Sequence, residues 1–338
     1  MEKNYALVIR EPGNIALEER PMPEPDAGEV LVQVCYVALC GSDGKLYAGT
    51  YTAPHSYPVV LGHEWVGRVV SIGQLVEDLQ PGDYVTGDCS LYCGKCAACS
   101  YNRNHCEHIE KRGITVDGGC ANFIAVKRRH IYKCPCTSDC KPFVLTEPTA
   151  VAGNGILKRV PQSVLTRAER AVILGAGGIG LVSLLALAEF PMREIVMVDM
   201  AENKLALAER FGFSNVKTCR SIDELEGTFD LVVEAAGATP TLQACPKLAA
   251  PAGHVVLLGH QKPCELDFGE VIKKSLTIHA SNGSTGGFIK ALRIIDAHRD
   301  LICLLITDTI PLRDAADYIA QGKHLKNNIK VVIDMMAE

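Results

Sequence analysis

The chain has 338 residues, 48% of them hydrophobic, with a net charge of −5 and 15 cysteines. That length favours two globular domains, and mild acidity without a Lys/Arg run argues against a nucleic-acid or anionic-membrane partner. The N-terminus offers only Tyr5–Ile9 as an apolar stretch, too short for a signal-peptide core, so a reducing cytosol is expected, with the cysteines binding metal rather than forming disulfides.

In chain order the first half reads as β-rich. Tyr5–Ile9, Ile15–Arg20, Val30–Tyr36 and Trp65–Ile72 are short strand-like runs broken by Pro and Gly, and no sustained helical period precedes about residue 150. Within this half, CGKCAACSYNRNHC places Cys93, Cys96, Cys99 and Cys106 in a C-x2-C-x2-C-x6-C spacing. Four thiolates this dense can close a tetrahedral Zn²⁺ cage. Two disulfides or idle thiols are the alternative, disfavoured because adjacent CxxC pairs bridge poorly. Cys40-Gly41-Ser42-Asp43, Gly62-His63-Glu64 and Glu147-Pro148 scatter further Zn²⁺-competent side chains along the half. Each alone is more often a surface or satisfied core group. Three such ligands together would leave a fourth position open for water or substrate. Cys134, Cys136 and Cys140 surround Pro135 and read as a third metal or redox cluster, or as incidental loop thiols.

The texture then changes. Ala171–Leu174 is a short apolar strand, Gly178–Phe190 a helix, Glu194–Asp199 a strand ending in an acid, and Ala201–Phe211 a helix closed by Gly212. Asp230–Glu234, His254–Leu258 and Leu276–Ala280 are further strands, an alternation that indicates a parallel, doubly wound sheet. Ala171–Ala188 is uncharged, but its glycines cut it into strand and helix rather than a membrane span. The tail predicts a helix at Phe288–Ala297, a strand near Ile302–Ile306 and a helix at Leu312–Ala320, returning to the first domain.

Gly175-Ala176-Gly177-Gly178-Ile179-Gly180 is GxGxxG between a strand and a helix, the context that a dinucleotide fingerprint requires. Gly175 permits the tight turn, Gly177 lets backbone approach a pyrophosphate, and Gly180 allows close helix–strand packing. Asp199 closes the next strand about 20 residues on, where an acid bonds the ribose 2′-OH and repels a 2′-phosphate. NAD is therefore favoured over NADP, with Lys204 in reach of the same ribose. A solvated strand-end acid and a surface lysine are the plainer alternatives for these two.

Taken together, CGSD, GHEWVGRV, PGDYV, the cysteine lobe, DGGCANFIAV, EPTAVA, GAGGIG, VMVD and VVEAAG run in one order along the whole chain. The chain so resembles a zinc-dependent medium-chain dehydrogenase/reductase. It is similar to sorbitol, threonine, galactitol-phosphate and 2-deoxy-scyllo-inosamine dehydrogenases. The resemblance implies an α/β fold: a GroES-like β-rich catalytic domain over 1–150, with 285–338 returning to it, and a Rossmann NAD-binding domain over 151–284. It implies a catalytic zinc on Cys40, His63 and Glu147, with Glu64 as adjacent or alternate ligand, and a structural zinc on Cys93, Cys96, Cys99 and Cys106. It also implies that Gly259 and Asn282 flank the nicotinamide, and that the chain forms a homodimer or homotetramer. The sequence departs from the family at Lys45, where many relatives carry a proton-relay His, and at Asn154, often His. The last gap of the cysteine lobe is also one residue short.

The implied reaction is reversible, NAD-linked oxidation of a secondary alcohol to a ketone, the substrate being a polyol, cyclitol or sugar-derived alcohol. Ser42 is the candidate hydroxyl for the alcohol proton, a helix N-cap being its plainer role. The competing expectations are a zinc-free quinone or enoyl reductase of the same fold, and a non-catalytic NAD(H)-binding thiol sensor.

Overall fold

The computed structural model describes residues 3–259, 263–323 and 328–337. The chain divides into two compact units, Met1–Glu147 with Ile295–Glu338, and Pro148–Ile294.

The first unit is organised by antiparallel strands with one buried face. In Glu29–Ala38, Val30, Val32 and Val34 are buried while alternate residues are half-exposed, the period of two that a strand on a core requires. This strand pairs with Glu64–Ile72 on one side, and with Phe123–Lys127 and Lys330–Asp334 on the other. The C-terminal strand Lys330–Asp334 thus lies between Glu29–Ala38 and Ile306–Pro311, which it joins in parallel. A smaller sheet orders Asn14–Arg20, Asn4–Glu11 and Val59–Val60. Trp65 is 1% exposed at the centre of the core. Gly87 and Gly119 fit it so closely that an added Cβ would come within 2.4 and 2.8 Å of the indole.

The second unit is a six-stranded, wholly parallel sheet in the order Val216–Cys219, Glu194–Val198, Arg170–Leu174, Phe229–Glu234, Ala249–Leu257, Thr277–Ala280. In chain order that is 3-2-1-4-5-6, the Rossmann arrangement, whose ligand crevice opens at the carboxyl ends of the strands where the order reverses. Strand runs such as AVIL and IVMV are buried throughout because helices cover both faces. Helix Gly178–Ala188 is buried from Gly180 to Leu187.

The strand expected near Ile302–Ile306 is instead helix Arg299–Leu305, with the strand beginning at Ile306. A five-residue apolar run is ambiguous between the two states. Here Asp300 occupies the first turn, and Ile302 and Leu305, three apart, share the buried face. Helix Thr146–Ala152 continues as a π-helical segment, Gly153–Lys158, which no local sequence signal announces. Among the described residues no helix is long and apolar enough to cross a membrane.

Glu194 ties three strands at the amino-terminal edge of the parallel sheet, accepting from Lys217 Nζ at 2.6 Å and from Arg170 Nε at 2.7 Å. Those bonds, Lys217's first, hold its carboxyl below the ordinary range. A depressed folded-state pKa gives stability that is present above the unfolded value and lost as pH falls through the folded one. Glu194→Gln should therefore lower the urea midpoint at pH 7 and converge on the wild type as pH falls below the ordinary carboxylate range. A gap that stays constant with pH would show that the charge contributes nothing.

Candidate metal centre and dinucleotide site

His63 is delivered by a turn that only glycine makes easily. Gly62 has φ +94°, and a Cβ there would meet Val37 Cγ1 at 2.7 Å. Cys40 N-caps helix Gly41–Tyr47, and its N–H donates to Asp43 Oδ2 at 2.7 Å. Asp43 Oδ1 in turn faces His63 Nδ1 at 3.6 Å, and both atoms are buried without a hydrogen-bond partner. The imidazole thereby turns Nε2 toward Glu64, 3.9 Å from Oε1. One donor atom each from Cys40, His63 and Glu64 lies within 4.8 Å of the others. Zn²⁺ bonds of about 2.0–2.3 Å reach across that span, so the donor set fits one ion.

Lys330, unnoticed in the sequence, completes the cluster. Its ammonium donates to both Glu64 oxygens, at 2.6 Å to Oε2, and the two side chains are 8% and 1% exposed. Burial alone would raise the Cys40 thiol, but Lys330 and His63 draw it down to about 6. Burial pushes the Glu64 carboxyl up, and the pull of the Lys330 ammonium opposes it and favours the carboxylate. Burial would also lower His63, yet Asp43 and Cys40 hold it well above the ordinary imidazole range. Glu64 keeps Lys330 protonated in spite of its burial.

Glu147 stands outside this group of three. It sits in the first turn of helix Thr146–Ala152, where its carboxylate accepts from the Cys89 thiol at 3.4 Å. Burial, then Glu147's charge, pushes Cys89 up to about 12. Ser42 is half-buried in the first turn of helix Gly41–Tyr47, whose N-cap is Cys40 rather than Ser42, and Lys45 is exposed.

The four-cysteine lobe has the dimensions of a closed cage. Its sulfurs are 3.5 Å apart for Cys96–Cys99, 3.9 Å for Cys96–Cys106 and 4.0 Å for Cys93–Cys99. A tetrahedron with Zn–S bonds of about 2.3 Å has edges of about 3.8 Å. Backbone N–H groups of Cys93 and His108 point at Cys106 Sγ, and that of Lys95 at Cys93 Sγ, helping to draw the Cys93 thiol down to about 6. Cys134 pairs with Cys136, and Cys140 with Cys35, rather than all converging on one point. The only two metal-competent groups among the described residues are the two above.

In the second unit the glycine turn has distinct tolerances. Gly175 has φ +106°, and a Cβ there would meet Ala236 N at 2.8 Å. A Cβ on Gly180 would strike the Gly175 carbonyl at 1.8 Å, whereas one on Gly177 would meet nothing within 4 Å. Gly177 therefore opens onto space at the N-cap of helix Gly178–Ala188, where a pyrophosphate fits; Gly178 and Ile179 form the helix's first turn. Asp199 accepts from Ala176 N–H with Oδ2 and from Ala201 N–H with Oδ1, both at 2.9 Å, and Lys204 Nζ lies at 3.7 Å. A cavity of about 600 Å³ opens here, walled by Gly175, Asp199, Met200, Thr241 and Arg220, the last another residue that sequence reasoning missed. Buried Glu234 accepts from Ala236 N–H at 3.1 Å, Gly237 N–H at 2.9 Å and the Thr241 hydroxyl at 2.7 Å. Gly259 packs against Gly237 and Glu234 so tightly that a Cβ would come within 2.3 Å. Asn282 is exposed in the loop after Thr277–Ala280, and Asn154 braces that loop by donating to Ser281 Oγ at 3.2 Å and the Gly283 carbonyl at 2.8 Å.

Residues 26–136 match the alcohol dehydrogenase GroES-like domain, and residues 141–335 match the glucose dehydrogenase C-terminus. An uncharacterized zinc-type alcohol dehydrogenase-like protein of Haemophilus influenzae is 30% identical over 98% of both chains. D-altritol 5-dehydrogenase of Agrobacterium fabrum is 27% identical over 94% of this chain and 95% of its own. A protein assigned as a zinc-binding dehydrogenase from Sinorhizobium meliloti, solved bound to NADP, superposes with a TM-score of 0.87 at 27% identity, covering 99% of this chain and 100% of that one.

Removing one partner of the buried Lys330–Glu64 pair strands the other. Lys330→Ala should cost about 3–5 kcal/mol in urea unfolding, and the Lys330→Met/Glu64→Gln double variant should recover most of it. Additive losses in this cycle would dissolve the coupling.

Proposed function

The chain belongs to the zinc-type medium-chain alcohol and polyol dehydrogenases and is an oxidoreductase, and on that premise we propose that it catalyses reversible, NAD-linked oxidation of a secondary alcohol to a ketone. The substrate class we assign is a polyol, cyclitol or sugar-derived alcohol. The observation that carries this reading is the convergence of Cys40, His63 and Glu64 within the reach of one cation, with Cys40 partly open to solvent. Bound zinc would supply a Lewis acid that acidifies an alcohol oxygen, and bound nicotinamide would accept the hydride.

The chain's own residues do the rest. Cys40 serves as a thiolate, a form that Lys330 already favours. Asp43 faces Nδ1 of His63, so that Nε2 is the ligating nitrogen. Glu64 supplies the nearest carboxylate but shares it with Lys330, and Glu147, resting on the Cys89 thiol, is the second carboxylate that could serve as third ligand. Ser42, half-buried, would accept the alcohol proton as its hydroxyl passes its own proton to solvent water, with Lys45 standing where many relatives have a relay His. Cys93, Cys96, Cys99 and Cys106 would hold a second zinc, and four thiolates would leave substrate no position there, so that it would fold the lobe and take no part in turnover.

Gly177, Gly178 and Ile179 would hold the cofactor's pyrophosphate, with Gly175 and Gly180 shaping the turn. Asp199 and Lys204 would bond its ribose, and Gly259 and Asn282 would flank its nicotinamide. Asp199 places a carboxylate where NADP would bring its 2′-phosphate, which favours NAD. A homodimer or homotetramer is the assembly that we expect.

Metal analysis should return two zinc ions per chain; none would instead support a zinc-free reductase. Cys40→Ser should remove one zinc and abolish turnover while NADH still binds, and full activity would sink the assignment. Comparing Glu64→Gln with Glu147→Gln separates the third ligand, because only the true one should lower occupancy of the catalytic zinc. Asp199→Ala should raise KM for NAD and narrow the gap to NADP; an unchanged preference would remove Asp199 from the ribose site.

A further inference from the structure

A second cavity lies wholly within the first unit, between the four-cysteine lobe and the bend that follows strand Phe123–Lys127. Its volume is about 380 Å³, in the range of small-molecule sites, roughly 300–1,000 Å³. Nothing in the oxidoreductase chemistry uses it.

Its walls are cationic. Lys95 comes from the lobe, Arg112 from beyond it, and Lys127 and Arg129 from the bend, against Glu29 and Glu110. Four positive side chains therefore face two negative ones. Glu29 already accepts from the Asp26 N–H at 3.2 Å, and Glu110 is exposed. The guanidinium groups are fixed by backbone: Arg129 Nη1 donates to the Cys93 carbonyl at 3.1 Å, and Arg112 Nη1 to the Asp117 carbonyl at 3.2 Å. Arg112 Nε is buried and has no hydrogen-bond partner.

His130 belongs to the same wall. It is 2% exposed, its Nδ1 has no hydrogen-bond partner, and its ring stands edge-on to Tyr92 at 4.8 Å. Burial, followed by the charges of Arg129, Arg112 and Lys127, lowers His130 to about 4. The ring is therefore neutral at pH 7, with one N–H to give. The Arg103 guanidinium lies over the Tyr92 ring at 4.8 Å from its centroid.

We infer that this cavity is an anion-binding site for a phosphoryl group, carried by inorganic phosphate or by a small phosphorylated metabolite. A tetrahedral anion matches four cationic side chains that outnumber the two carboxylates, with the Cys93 sulfur, drawn into the cage, also on the wall. Fixed guanidinium forks and a neutral imidazole donor supply directional hydrogen bonds that a diffuse counterion would not need. The inference does not rest on the catalytic reading, because no residue proposed for turnover lines the cavity.

The test is calorimetric titration of the full-length, zinc-loaded protein at low ionic strength. Inorganic phosphate should saturate a single site near the bend with a Kd of about 1 mM or tighter. Glucose 6-phosphate binding more tightly would identify a phosphorylated metabolite as the natural ligand, and binding no tighter would identify phosphate itself. Acetate should bind at least tenfold more weakly. Lys127→Gln, at the exposed end of its strand, should weaken phosphate roughly tenfold with zinc content unchanged. Arg112→Gln should do the same if the lobe keeps its zinc; Lys127→Gln carries the test if it does not. The ring ¹⁵N resonances of His130 should shift with the same Kd. Phosphate affinity indifferent to Lys127→Gln, or His130 resonances that stay still, would overturn the site.

Discussion

A buried ammonium–carboxylate pair, Lys330 with Glu64, constrains the first unit more than any other contact. Taking two such ions out of water costs several kcal/mol each, offset only when the geometry is close and the lone pairs are used. Both Glu64 oxygens are used here. The pair therefore demands one register of strand Lys330–Asp334 between Glu29–Ala38 and Ile306–Pro311. A slip of one residue would turn the lysine to the other face of the sheet and leave the carboxylate alone. The same register sets the surroundings of Cys40, whose thiolate the ammonium favours, and of His63, the neighbour of Glu64. Charge balance and strand order are one requirement in this unit.

The second unit uses carboxylates in a related way, as acceptors that shape turns. Asp199 ties Ala176, inside the glycine turn, to the end of its own strand, and Glu234 gathers the N–H groups of Ala236 and Gly237 beneath Gly259. These backbone donors lie at the carboxyl ends of parallel strands, where no further sheet partner is available. Asp199 has both oxygens engaged by backbone N–H groups while still lining the 600 Å³ cavity.

What could be read from the chain follows the range of the interaction. The GxGxxG turn and the cysteine lobe are local, so spacing alone announced them, and the strand-like runs Val30–Tyr36 and Trp65–Ile72 fell inside their strands. Ile302–Ile306 failed because five apolar residues have no period. Lys330 failed because a lysine heading KVVID looks like any strand-end charge, and only the fold brings it to Glu64 across 266 positions. Cys89 under Glu147, Asp43 behind His63, and Arg220 beside Asp199 were hidden for the same reason. The resemblance named Cys40, His63, Glu64 and Glu147 together, but the structure groups the first three and keeps Glu147 apart.

The separation of Glu64 from Lys330 also bears on how the molecule comes into being. A ribosome adding about 5–20 residues per second delivers the carboxylate tens of seconds before its ammonium partner. Throughout that interval strand Glu29–Ala38 has an open edge where Lys330–Asp334 will pair, and Glu64 has no counter-charge from the C-terminal strand. Until then the first unit lacks one strand partner, and an unpaired strand edge is a template for pairing with another chain. Completion of the site waits on strand Lys330–Asp334, 266 positions after Glu64.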